Sequence, residues 1–160
     1  MTPVEKIQNT QLFLFDMDGT LYLDDTLYDF TIDLLKIIRE TGRRYLFVTN
    51  NSSKSVEDYR KKLAKLGITA DYEDFLTSSQ AAGYYLKLHH PDARLYVCGT
   101  MSFKQELIRE GFTVTDNPDE TDCVVMGNDT ELTFQKLHDV SKLLLTRPDI
   151  PYIATNLDYV

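Results

Sequence analysis

The apolar run Leu12-Phe13-Leu14-Phe15 stops at Asp16-Met17-Asp18-Gly19-Thr20. A short, uniformly apolar run reads as a parallel strand covered on both faces. The glycine after it lets the backbone turn and approach a ligand closely. Along an extended segment residues i and i+2 point the same way, so Asp16 and Asp18 are expected to face one crevice with Met17 turned aside. In open α/β sheets, ligands bind beyond the carboxyl ends of the strands. Paired carboxylates at such a place suit a divalent cation and the phosphate it neutralises. The same five residues can also make a metal-free turn in which the acids cap and solvate the bend. The buried strand before them and Thr49 at the end of the next one favour the functional reading.

The rest of the chain alternates in the same manner. Residues 28–41 have helical spacing, with Phe30, Leu34, Ile37 and Ile38 expected inward and Gly42 just past the end. Arg43-Arg44, read as a solvated strand entry, leads into the second buried strand Tyr45-Leu46-Phe47-Val48, which runs out in Thr49-Asn50-Asn51-Ser52-Ser53. Ser55 can cap the next helix, with Glu57 and Asp58 in its first turn. Val56, Tyr59, Leu63 and Leu66 form its inward stripe, and Gly67 closes it. A boundary is expected near Thr77-Ser78-Ser79, dividing the chain into residues 1–78 and 79–160.

Beyond it the pattern predicts a helix over 80–88, a strand over 95–98, a helix over 103–110, a short strand over 112–114 and a strand over Cys123–Met126. A helix over 134–145, capped by Thr133, and a strand over Tyr152–Ala154 follow. Strands alternating with helices indicate an α/β protein with largely parallel pairing. Tyr84-Tyr85 is read as packing, Asp24-Asp25 as a solvated turn, and His89-His90 as a helix end before Pro91.

Composition limits the partners. In 160 residues, 17 Lys and Arg stand against 25 Asp and Glu, a net charge of −8. That argues against nucleic acid or an anionic membrane surface as the main partner. A small phosphorylated substrate remains compatible, because a bound metal reverses the local sign. No apolar segment approaches the ~20 residues that span a bilayer, and residues 1–10 lack the apolar core of a signal peptide. The two cysteines, Cys98 and Cys123, lie in apolar runs without a close Cys or His companion. Buried free thiols in a reducing cytoplasm are the expected state.

Phe13-Leu14-Phe15-Asp16-Met17-Asp18-Gly19-Thr20-Leu21 resembles the first motif of the haloacid dehalogenase (HAD) superfamily, and Leu46-Phe47-Val48-Thr49-Asn50-Asn51-Ser52 its second. Thr49 to Lys54 resembles the NagD-like and para-nitrophenylphosphatase-like branch. Tyr96-Val97-Cys98-Gly99-Thr100, Val124-Val125-Met126-Gly127 and Ala154-Thr155-Asn156-Leu157-Asp158 match recurrent segments of that branch's α/β cap. The resemblance implies a Rossmann-like parallel-sheet core over 1–78 with an inserted α/β cap from 79, both partial. Members continue with a lysine and an acidic Gly-Asp loop that nothing here matches, so the chain is expected to be the N-terminal part of an enzyme. The strand carrying Asp16 is central in the family's sheet. Without the later strands, residues 12–15 form an exposed apolar edge, and a chain ending at Val160 is expected to be insoluble, molten or dependent on a partner segment.

The function implied is a Mg²⁺-dependent phosphatase acting on small phosphorylated metabolites of the sugar phosphate or phosphoglycolate type. Asp16 would be the nucleophile, forming an aspartyl-phosphate, with its other oxygen on the metal. Asp18 would be general acid and then base, its backbone carbonyl a second metal ligand. Gly19, Thr49, Asn50 and Asn51 would hold phosphoryl oxygens. Lys54 would stay a second-motif residue on the following helix, while Asn156 and Asp158 could reach substrate from the cap. Cap surfaces of the family commonly form dimer contacts, which leaves a homo-oligomer open. A receiver-like phosphoacceptor module is the alternative from another class, disfavoured because no later strand ends in an Asp followed by a Lys. A non-catalytic or partner-dependent fragment is the third reading.

Overall fold

The computed structural model describes residues 2–156. The chain divides into two compact units, Met1–Thr49 with Arg60–Leu76 and Asn50–Tyr59 with Thr77–Val160.

The first unit contains α1 (Pro3–Asn9), β1 (Leu12–Asp16), β2 (Tyr22–Leu23), β3 (Thr26–Leu27), α2 (Thr31–Glu40) and β4 (Arg44–Thr49). Helix α3 (Val56–Lys65) is divided between the units after Tyr59, and β5 (Phe75–Thr77) after Leu76. The sheet order is β1-β4-β5. β1 and β4 run parallel, in register from Leu12 opposite Arg44 to Asp16 opposite Val48. Tyr45, Phe47 and Phe75 are buried, with successive ring centroids 5.2 and 5.3 Å apart. The β2–β3 hairpin turns at Asp24, whose φ is 51°, so Asp24-Asp25 is the turn expected of it.

Two expectations are corrected here. β1 is an edge among the described strands, and Leu12 and Leu14 are 46 % and 60 % exposed. It is therefore not covered on both faces. Helix α2 starts at Thr31 rather than 28, because the Tyr28 amide donates to the Leu21 carbonyl and is used in a turn. Thr31 Oγ1 donates to that same carbonyl at 2.6 Å. This contact fixes the helix rotation: Thr31, Leu35 and Ile38 are buried, while Phe30 and Ile37 are 53 % and 57 % exposed. The α3 stripe is as expected at Val56, Tyr59 and Leu63, with Leu66 half-buried.

The second unit contains α4 (Ser78–His89), β6 (Arg94–Cys98), α5 (Met101–Arg109), β7 (Thr113–Val114), β8 (Cys123–Met126), α6 (Phe134–Thr146) and β9 (Tyr152–Ala154). Its sheet, β7-β6-β8-β9, is parallel throughout. Alternate residues of β6 and β8 serve opposite faces. Leu95, Val97, Cys123 and Val125 pack with Leu86 of α4 and with Phe103 and Leu107 of α5. Tyr96, Cys98 and Val124 pack with Val140 and Leu143 of α6. Thr77, Thr100 and Thr133 cap α4, α5 and α6, and Thr77 forms a reciprocal capping box with Gln80. That box starts α4 at Ser78, two residues earlier than predicted. Tyr84 and Tyr85 are exposed rather than packed, Tyr85 lying 4.3 Å from the His89 ring.

Cys98 and Cys123 are buried free thiols on opposite faces, and burial pushes the Cys123 thiol up to about 11. No described helix is long and apolar enough to cross a membrane.

Candidate active site

In the first unit, register places Asp16 beside Val48, so Asp16 and Thr49 close adjacent parallel strands. The Asp16 and Asp18 residues are exposed, and Met17 between them is wholly buried. Met17 anchors the loop: its carbonyl accepts from the Thr20 and Leu21 amides at 3.2 and 3.0 Å. The Gly19 amide donates to Tyr22 at 2.8 Å, and Gly19 itself sits at φ 80°, a conformation that disfavours any side chain. Thr20 Oγ1 lies 3.5 Å from Asp16 Oδ2. Thr49 is buried.

Lys62, on the part of α3 belonging to this unit, has its Nζ 3.3 Å from Asp18 Oδ1 and 4.0 Å above the ring of buried Tyr22. Its side chain is only 18 % exposed. Lys54, expected as a second-motif residue on the following helix, lies instead in the bend before α3, with its Nζ 5.9 Å from the Tyr59 ring centroid. The signal for Lys62 was its position one helical turn after Tyr59, beside inward Leu63.

The donors at the strand end are all oxygen, which suits Mg²⁺ by type. Among the described residues no group of three or more His, Cys, Asp or Glu could hold a metal ion. Mg²⁺ is commonly bound through one or two carboxylates with substrate phosphate and water completing its shell, so the pair fits.

Asn50 and Asn51 fall in the second unit. Asn51 Oδ1 accepts from the Ser53 amide at 2.9 Å. Buried Ser52 Oγ accepts from the Asn128 amide at 2.8 Å and lies 2.8 Å from Thr155 Oγ1. Thr100 Oγ1 donates to the Ser53 carbonyl at 2.9 Å. The segment after Thr49 is thus held at the carboxyl ends of β6, β8 and β9. Sequence reasoning missed Asn128 and Thr155; their only signal was a polar residue soon after each apolar strand. Asn156 is exposed, and Asp158 lies outside the described residues.

The family model for haloacid dehalogenase-like hydrolases matches residues 13–113. The chain is 34 % identical to phosphoglycolate phosphatase 2 of Arabidopsis thaliana, covering 92 % of this chain and 56 % of the relative. It is 32 % identical to an acid sugar phosphatase of Staphylococcus haemolyticus, covering 95 % and 57 %. Its fold superimposes on glycerol phosphate phosphatase from Mycobacterium tuberculosis in complex with magnesium, with a TM-score of 0.83 and 31 % identity over 94 % of this chain and 45 % of that one. The chain spans about half the length of the curated relatives it matches.

Proposed function

The chain belongs to the haloacid dehalogenase-like hydrolases, and on that premise we propose that it carries the nucleophile and the acid–base residue of a Mg²⁺-dependent phosphatase of small phosphorylated metabolites. Residues 1–78 are assigned to the core and 79–160 to a cap, in the cytoplasm. The observation that carries this reading is the in-register ending of β1 and β4 at Asp16 and Thr49, with Asp18 two residues on and held by Lys62.

Phosphate esters resist anionic nucleophiles because the phosphoryl oxygens repel them. Mg²⁺ would be held by the Asp16 carboxylate and the Asp18 carbonyl, and would supply the charge that offsets this repulsion. Asp16 attacks phosphorus; the ester P–O bond breaks, and Asp18 gives its proton to the leaving alkoxide. Asp18 then accepts a proton from the water that cleaves the aspartyl-phosphate, freeing phosphate and restoring Asp16. Thr49 offers a hydroxyl to the phosphoryl oxygens. Gly19, Asn50 and Asn51 are assigned to phosphate from the family pattern. Phosphoglycolate, sugar phosphates and glycerol phosphate, the substrates in the relatives' names, define the class.

Hydrolysis of para-nitrophenyl phosphate with Mg²⁺ tests the assignment. Asp16→Asn is expected to lower turnover by about three orders of magnitude or more with an unchanged melting temperature. Turnover within a few-fold of the unmodified protein would remove Asp16 as nucleophile.

A further inference from the structure

Two adjoining cavities lie within the first unit, at the amino end of β4. One, of about 270 Å³, runs between α2 and the turn Gly67-Ile68-Thr69, with Ile32, Leu35, Ile68 and Tyr45 in its walls. Lys36 and Glu40, also in its lining, pair with each other at 3.9 Å. The other, of about 240 Å³, is lined by Arg39, Arg43 and Arg44 with Asp71 and Asp74. The two share Arg39 and Tyr45, and joined they reach the size of a small-molecule site. Arg44 stands roughly 16 Å along β4 from Thr49 at the ordinary strand rise, so a small ligand here does not reach the strand end that carries Thr49.

The charges of this region are unevenly committed. Asp74 Oδ2 accepts from Arg39 Nη2 at 3.1 Å and from the Asp71 amide at 2.9 Å. The Arg39 guanidinium also lies 4.9 Å from the Tyr45 ring centroid, which fixes it between the two cavities. Arg43 donates to the Ile7 and Gln8 carbonyls at 3.3 and 3.0 Å, acceptors that are neutral and leave its charge uncompensated. Among the described residues the exposed Arg44 side chain has no hydrogen bond or ion pair. Three guanidinium groups thus face two carboxylates, one positive charge in excess, on a chain whose net charge is −8.

We propose that the joined cavities bind a small carboxylic acid with an apolar body, as its monoanion, independently of the site at the carboxyl ends of β1 and β4. The apolar body enters between α2 and the 67–69 turn, where its burial supplies affinity. The carboxylate meets Arg44, whose planar fork of N–H donors matches it in a bidentate arrangement. A single excess charge suits a monoanion. A phosphate dianion would bring a second negative charge against Asp71 and Asp74.

Titration of the full chain with 2-naphthoate in the absence of Mg²⁺, followed by calorimetry and amide NMR, tests the proposal. Binding is expected with a Kd of about 1 mM or tighter, and with amide shifts concentrated at Gly67, Ile68 and Thr69. The neutral isostere 2-naphthamide, and 2-naphthylphosphonate as its dianion in mildly alkaline buffer, are expected to bind at least about fivefold more weakly. Arg44→Met is expected to weaken 2-naphthoate at least about fivefold and to erase its advantage over the amide. Ile32→Gln is expected to weaken acid and amide alike. Both positions are exposed, and a thermal melt checks that each variant folds. Absence of binding, amide or phosphonate binding as tight as the acid, or either variant holding the acid as the unmodified protein does would overturn it. Shifts centred on Leu12 and Leu14 would do the same, placing the probe on the exposed side of β1.

Discussion

Lys62 shows how little a contact's stability says about its use. An ion pair with Asp18, whose side chain is half exposed, contributes at most about 1 kcal/mol to folding. Its stem is nonetheless buried and its ammonium braced on the Tyr22 face, a geometry that holds one Asp18 oxygen in place. Positioning of an acid–base group is where such a contact counts, since small misplacements cost large rate factors. Lys62→Met is therefore expected to lower kcat about 10–100-fold with KM nearly unchanged, and Lys62→Arg to recover most of it. Equal loss in both variants together with a lowered melting temperature would mark Lys62 as structural. A second residue-scale expectation concerns acid. Hydrogen bonds from the Arg94 side chain and amide hold the Asp122 carboxyl down to about 2. A carboxyl depressed in the folded state stabilises it fully above its unfolded pKa, about 3.9. That stabilisation is lost as pH falls toward 2. Carboxyl NMR should follow this titration, and Arg94→Met should return it toward the ordinary aspartate range while flattening the acid limb of stability.

Among the elements, the carboxyl ends of β6 and β8 are the most tightly specified. A Cβ added at Gly127 would lie 2.8 Å from Phe103 Cδ1 and 2.9 Å from Ser52 Oγ, and the Ser52 oxygen is the one that fixes Asn128. Gly127→Ala is expected to cost about 1–3 kcal/mol through overpacking, read as a lowered denaturation midpoint with an unchanged slope. No loss would show that the Phe103 ring and the Ser52 segment can yield. The strand boundaries of this unit were legible in the sequence. β8 and β9 were placed to the residue because Cys123-Val124-Val125-Met126 and Tyr152-Ile153-Ala154 are bounded by turn residues. The Thr133 cap was equally clear. α1, the two-residue strands β2 and β3, and the three-residue β5 were missed, being too short to express a period of their own. The face of α2 was misjudged because both helix sides carry apolar residues. The choice between Ile37 and Ile38 is made by a hydrogen bond from Thr31 to Leu21, a tertiary contact invisible in the periodicity. In the first unit, Asp16, Asp18 and Thr49 could be read from strand ends, whereas Lys62 reaches its place through the fold.

For the molecule as a whole, the decisive fact is that β1, which carries Asp16, is an edge among the described strands, with Leu12 and Leu14 exposed on one side. Unpaired edge backbone beside apolar side chains is a template for pairing with another chain, and proteins ordinarily blunt such edges with charge. Here the only charge on β1 is Asp16 at its end. The chain is therefore expected to self-associate with rising concentration at neutral pH, despite a net charge of −8 that opposes association. Leu14→Lys places an ammonium on the exposed face without disturbing Phe13 and Phe15, which stack on the other side with ring centroids 6.1 Å apart. Light scattering across a concentration series should show the variant monomeric where the unmodified chain forms larger species. A matched surface change on the second unit, such as Leu145→Lys on exposed α6, should leave that behaviour unaltered. If Leu145→Lys suppresses association and Leu14→Lys does not, the sticky surface is the α6 face, and the β1 edge is protected by its own twist.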